Sequence, residues 1–236
     1  MLDWGDSMPA SGSFDTFLRG TFGVEPGGVT GRKLRELAIS ISVDRGSMTP
    51  LDHTHGSLVF IAHGATKLVA HASFDREQIV AFHFGGDLVA IPPDSRHAFS
   101  LMALTDCSLI IFPAREFYDR AAAEPTIMRA LLERFQTALF RCRDKALGLG
   151  RKNAQERLAS FLLTMAERLD RVESGKCELE LPMSRRDIGD SLGLTIETIS
   201  RQFSELRATG LVETIGRSRV ILNDPIALAR LAGYLQ

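Results

Sequence analysis

The sequence predicts an α+β protein in three successive parts: a roll of short strands, one long helix, and two short helices backed by a hairpin. Three observations carry that expectation. Short β-prone runs fill residues 37–112 between glycines and prolines. Apolar residues then recur at alternating steps of four and three from Met128 to Leu149. A Ser-x-x-Asp box and a glycine turn mark residues 184–203.

Residues 1–28 are rich in Gly, Ser and Pro, so a loosely held arm is expected, with a short helix around Phe14–Phe22. The β-prone runs are Ala38–Val43, Leu58–Ala62, Thr66–Ala72, Gln78–Phe84, Leu88–Ile91, Phe99–Leu104 and Ser108–Phe112. Several short strands at regular spacing mean a β-sandwich or a barrel-like roll, placed at residues 29–120. After Pro125, the positions Met128, Leu132, Phe135, Leu139, Cys142, Ala146 and Leu149 form an apolar seam of the coiled-coil type. That stripe suits packing on the chain's own strands and pairing with a second copy; a parallel dimer helix is expected over 121–150. Gly148 and Gly150 are expected to end it, with the last domain running over 151–236. There, Ala154, Leu158, Phe161, Leu162, Met165 and Leu169 form the inner side of another helix, and residues 171–178 read as a loop.

The chain has 236 residues, is 44% hydrophobic and 24% charged, and carries a formal net charge of -1. Bulk charge therefore does not announce a nucleic-acid binder, and any such contact must come from local placement. Cys107, Cys142 and Cys177 are scattered and odd in number, which fits a reducing compartment better than a disulfide framework. The acidic start, without an apolar run, predicts no secretory signal. No apolar stretch reaches the roughly 20 residues that span a bilayer, so a cytoplasmic protein without membrane contact is expected.

Ser184 and Asp187 can cap a helix that buries Ile188 and Leu192 and stops at Gly193. Thr195 is placed to cap the next helix, which runs to about Arg207. Ile199, Phe203 and Leu206 share one side of it, while Glu197, Ser200, Arg201 and Ser204 share the other. The stretch from Leu211 to Leu222 reads as a hairpin behind this pair, completing a winged helix-turn-helix. A helix packed by its apolar side, with a carboxylate, a hydroxyl and a guanidinium outward, suits the edges of base pairs in a major groove.

The run Leu181–Gly189, followed by Leu192-Gly193-Leu194-Thr195-Ile196-Glu197-Thr198-Ile199-Ser200-Arg201, resembles the DNA-binding signature of the Crp/Fnr regulators, in the Fnr/FixK branch. The resemblance spans about residues 35–225 and implies a cyclic-nucleotide-binding-like β-roll (a double-stranded β-helix), a dimerisation helix and a winged helix-turn-helix. It implies that Glu197 accepts from a cytosine amino group and that Arg201 donates to a guanine or the adjoining base edge and phosphate. Ser200 stands where the Fnr branch has serine, and Ile196 where the cyclic-AMP branch has an arginine. The implied target is a TTGAT–four bases–ATCAA palindrome on double-stranded DNA, with RNA polymerase as a further partner and activation as the mode. Thr195, Thr198 and Arg185 are candidates for phosphate contacts, with capping or solvation as the competing use.

The roll is less informative. An iron–sulfur cluster of the Fnr type needs clustered thiolates, and the arm has no cysteine. The stretch Gly86-Asp87-Leu88 through Ser100 lacks the phosphate cradle of a cyclic-nucleotide site, so that ligand is not expected. His53 and His55 form an H-x-H, and His97 follows at a spacing resembling the second cupin metal motif. Three imidazoles suit Zn²⁺, Fe²⁺ or Ni²⁺, but Leu58, Val59 and Phe60 stand where a glutamate ligand is expected. No cofactor is therefore expected, and a metal- or effector-responsive sensor with a cupin-like site is the alternative to a ligand-free regulator. Nothing in the sequence gives Cys177 a lowered thiol pKa, and Cys142 reads as a small buried hydrophobe before a redox switch. No nucleophile–base constellation or phosphate-binding glycine loop is visible, so catalysis is not expected.

Overall fold

A computed structural model describes residues 11–52, 54–72, 76–93, 97–169 and 176–234. Two compact units emerge, Met1–Leu139 and Phe140–Gln236.

The first unit holds β1 (Ile39–Val43), β2 (Ser57–His63), β3 (Ala65–Ala72), β4 (Arg76–Phe84), β5 (Leu88–Ile91), β6 (Ala98–Ala103) and β7 (Cys107–Pro113). These lie within two residues of the seven predicted runs. They form two antiparallel sheets, ordered β1-β7-β2-β5 and β4-β3-β6. Alternation along β2 and β7 divides their side chains between two cores. Val59, Ile61, Leu109 and Ile111 point into the roll, where they meet Val89, Ile91 and Leu101. Leu58, Phe60, Ile110 and Phe112 point the other way, into a helical layer.

That layer contains the expected loose arm. Residues 11–22 are instead packed, as α1 (Ser11–Phe17) continued by a π-helical turn, Leu18–Phe22. Phe14, Phe17 and Leu18 are fully buried and Phe22 nearly so. The Phe17 ring lies 4.4 Å from Phe60 and 5.5 Å from Phe112, centroid to centroid. The physical reason is the spacing 14, 17, 18, 22, an amphipathic helical stripe that the arm's Gly- and Ser-rich composition masks. α2 (Val29–Arg35) then brings the Arg35 guanidinium to 4.5 Å over the Phe14 ring. α3 (Ala114–Ala121) and the start of α4 (Pro125–Arg151) complete the layer.

α4 departs from expectation in three ways. It runs through Gly148 and Gly150 to Arg151, and neither glycine takes a positive φ. Each costs about 1 kcal/mol relative to alanine, which does not end a helix held by side-chain bonds elsewhere. The expected seam also divides: Met128 and Phe135 pack on the first unit's own core beside buried Ile127 and Leu131. Leu132 (58%) and Leu139 (50%) are exposed, as are Cys142 and Ala146, and Leu149 is half-buried. Phe140 (61%) and Leu147 (63%) join the exposed stripe, one residue away from the expected register. Finally, the two units divide at Leu139/Phe140, inside α4, rather than at 150/151.

The second unit continues with α5 (Ala154–Leu169), β8 (Cys177–Glu180), α6 (Arg185–Leu192), α7 (Ile196–Ala208), β9 (Val212–Ile215), β10 (Arg219–Leu222) and α8 (Pro225–Leu231). Its sheet is ordered β8-β10-β9, so the expected hairpin gains a third strand where a loop was expected to end. Asn153 and Glu156 cap α5 reciprocally. Arg157 donates to the carbonyls of Leu149, Lys152 and Leu192, at 2.8, 2.9 and 3.1 Å, satisfying the exposed ends of α4 and α6 together.

Candidate nucleic-acid interface

The first helix of the pair is set by its ends. The Ser184 hydroxyl accepts from Asp187 N at 3.1 Å while the Asp187 carboxylate accepts from Ser184 N at 2.8 Å. At the other end Gly193 takes φ 65, the left-handed conformation that glycine adopts without steric cost. The turn is tight. A Cβ on Gly189 would stand 2.6 Å from the Leu194 carbonyl oxygen, so only glycine lets α6 approach the entry to α7.

α7 starts at Thr195, whose hydroxyl accepts from Thr198 N at 3.2 Å. Ile199, Phe203 and Leu206 are buried, as the apolar spacing predicts, with Gln202 between them. Ile196, Glu197, Ser200, Arg201 and Ser204 face outward. The Glu197 carboxyl is held below the usual carboxylate range by backbone N–H donation, by the Thr195 hydroxyl and by the Arg186 charge. It is an acceptor only at neutral pH. Arg201 is well exposed, its Nε 3.9 Å from the Glu205 carboxylate. The Ser200 hydroxyl donates to the Ile196 carbonyl at 2.8 Å and Ser204 donates to the Ser200 carbonyl at 3.1 Å.

The three expected phosphate ligands are placed differently. Thr195 and Thr198 are engaged with each other at the cap. The Arg185 guanidinium lies 3.2 Å above the Phe203 ring centroid, in the joint between α6 and α7. Desolvation there, with the Arg207 charge, pushes it down to about 10. Two residues escaped the sequence reading. Arg186 is the exposed neighbour whose charge acts on Glu197. Arg207 donates to Thr214 on β9 and to Ser204, at 3.1 and 2.9 Å, tying the recognition helix to the hairpin. The link to Thr214 spans seven positions and two elements, which no single-helix pattern reports.

Comparison with known proteins gives the same assignment. Residues 156–231 match the Crp-like helix-turn-helix domain family. The chain is 35% identical to the nitrogen fixation regulation protein FixK of Azorhizobium caulinodans, over 76% of this chain and 73% of the relative. It is 32% identical to the fumarate and nitrate reduction regulatory protein of Escherichia coli K12, over 75% and 72% of the two chains. The structure of FixK2 from Bradyrhizobium japonicum superposes with a TM-score of 0.72 at 33% identity, covering 82% of this chain and 96% of that one. The chain belongs to the Crp/Fnr family, in its FixK branch. It is a DNA-binding transcription regulator, and the relatives it matches are regulators rather than enzymes.

The roll of this Crp/Fnr regulator offers no comparable convergence. His55 is exposed and its ring meets the Asp52 carboxylate at 2.9 Å, which holds that carboxyl below its ordinary range. His97 is exposed, and His53 lies outside the described residues. Among the described residues no group of three or more His, Cys, Asp or Glu side chains is arranged to hold a metal ion. Asp87, at the position of the family's nucleotide turn, accepts from the Phe84 N–H at 2.8 Å and so closes its own turn. Residues 94–96 of the stretch that follows lie outside the described residues. Among those residues, no helix is long and apolar enough to cross a membrane. Cys177 is buried in β8 and burial raises the Cys107 thiol, while Cys142 is exposed on α4.

Proposed function

We propose that this regulator binds, as a homodimer, a TTGAT–four bases–ATCAA palindrome and activates transcription by presenting its roll to RNA polymerase. The observation that carries the reading is the exposure of Glu197 and Arg201, one turn apart, on a helix whose other side is anchored by fully buried Ile199 and Leu206. A permanently charged fork and an ionised acceptor suit the two partners of a G·C pair, guanine O6/N7 and cytosine N4. Ser200, on the same side, adds the third base contact. Thr195, Thr198 and Arg185 position the helix, Arg185 by stacking beneath it.

The exposed stripe Leu132, Leu139, Phe140 and Leu147 supports pairing of two copies along α4, because that much apolar surface on one helix is unfavourable in water. Relatives that are activators, a probable transcriptional activator of Rhizobium leguminosarum among them, support activation. Selection of bound sequences from a random duplex pool with the full chain tests the reading directly. The expected product is a palindrome with half-sites one helical turn apart. Arg201→Ala then loses specific binding, and Glu197→Ala relaxes the preference at one position per half-site by about 1–3 kcal/mol. Enrichment of unpaired half-sites, or unchanged preferences in both variants, overturns it.

A further inference from the structure

We propose that Lys145 and Arg157 set the half-site spacing this regulator accepts, by fixing the angle between the end of α4 and the helix pair that reads DNA. The proposal rests on the homodimer and palindrome reading above and adds two positioning residues to it. The second unit takes in α4 from Phe140 onward. It therefore carries Phe140 and Leu147 of the exposed pairing stripe together with α6 and α7. Between α4 and α5 stand only Lys152 and Asn153. Each contributes two soft dihedrals, so the connection by itself leaves the angle open.

Two side chains close it. The Arg157 guanidinium donates through Nη2 to the Leu149 carbonyl near the end of α4 and through Nε to Lys152 in the connection. Its Nη1 donates to the Leu192 carbonyl at the end of α6. Water could satisfy such carbonyls one at a time. Three donors on one rigid plane also hold the three acceptors in fixed relative positions. One turn earlier on α4, half-buried Lys145 donates to the hydroxyl of buried Ser191 at 2.9 Å. Lys145 and Leu149 share a side of α4, and Ser191 and Leu192 are adjacent on α6, so the two helices are pinned twice. One pin allows rotation; two define a direction. The Leu149 side chain fills the joint, 3.8 Å from where a Cβ on Gly193 would stand.

In two copies joined along α4, that direction sets the separation and twist of the two reading faces. One base pair more or less in the spacer moves a half-site by about 3.4 Å and turns it by about 35° around the duplex. A stiff joint rejects the change, and a slack joint absorbs part of it.

Fluorescence anisotropy tests the joint with the full chain on TTGAT and ATCAA half-sites separated by three, four or five base pairs. The parent prefers four by about thirtyfold or more. Arg157→Ala and Lys145→Met each lower that preference to about fivefold and bind the four-base spacer about tenfold more weakly, because the joint must then be ordered on the DNA. Arg157→Lys, which keeps the charge but loses the fork, falls between. Replacing the guanine of each half-site weakens binding by the same factor in parent and variants, which a merely misfolded domain would not preserve. Thermal melting accompanies each variant, and Lys145→Met, which keeps an unbranched chain, decides the matter should Arg157→Ala melt early. An unchanged spacer preference in Lys145→Met, or a guanine preference lost in parallel with the spacer preference, overturns the joint and leaves the palindrome intact. A parent chain indifferent to the palindrome at every spacing overturns the palindrome reading, and this proposal with it.

Discussion

In the first unit the core is gathered from distant parts of the chain: Phe17, Phe60 and Phe112 meet ring to ring from the arm, β2 and β7. In the second unit the residues assigned to DNA lie within one short stretch, most of it braced by bonds between positions three or four apart. Ser184 pairs with Asp187, Thr195 with Thr198, and Ser200 with the Ile196 carbonyl. A surface built from local bonds can be altered one side chain at a time without disturbing its support. A core built from long-range contacts turns each substitution into a change of stability. The first unit is therefore expected to answer mutation by unfolding, and the outer face of α7 by changed recognition.

The largest expected effect breaks the first half of that comparison. Phe17→Ala removes a fully buried ring and costs about 3–5 kcal/mol, read from denaturant unfolding of the full chain. A loss below about 1 kcal/mol would return the arm to the loosely held state its composition suggests. Next is Gly189→Ala, which drives a Cβ towards the Leu194 carbonyl and costs about 2–3 kcal/mol. At this position the support of the helix pair depends on close approach rather than a local bond, so unfolding and DNA affinity fall together.

Lys145 sharpens the contrast within the second unit. Its ammonium donates to Ser191 Oγ at 2.9 Å, and burial pushes it down to about 8. The native state sheds this proton first, so stability rises with pH from about 8 towards the ordinary lysine value of 10.5. Below that window the lysine is charged in both states and the full burial penalty stands. Relative to Lys145→Met, the parent gains about 3 kcal/mol across the window, measured by denaturant midpoints at successive pH values. The smallest effect is Ser184→Ala, about 1 kcal/mol from the lost cap, with base preference unchanged in a duplex competition assay.

The strands and the helix pair were legible in the sequence because their signals are local: alternation between turn residues, a capping box, a glycine stop. Leu88–Ile91 was placed to the residue. The packed arm was not, because its four buried positions sit among residues whose composition argues for a loop. Nor was the continuity of α4 past two glycines, since Arg157 secures that end from another helix. The division of the seam, with Met128 and Phe135 turned to the core and Phe140 and Leu147 outward, depends on which neighbours cover the helix. Arg185 illustrates the limit for function: a cation beside a helix start reads as a phosphate ligand until Phe203 is seen beneath it.

The uncovered stripe on α4 bears on control of the genes beneath this protein. If the form that grips a two-fold operator is made by joining two copies there, its amount grows with the square of the chain's abundance while monomers predominate. Promoter occupancy then climbs through a threshold as synthesis proceeds, giving a sharp on-state with no small-molecule signal required.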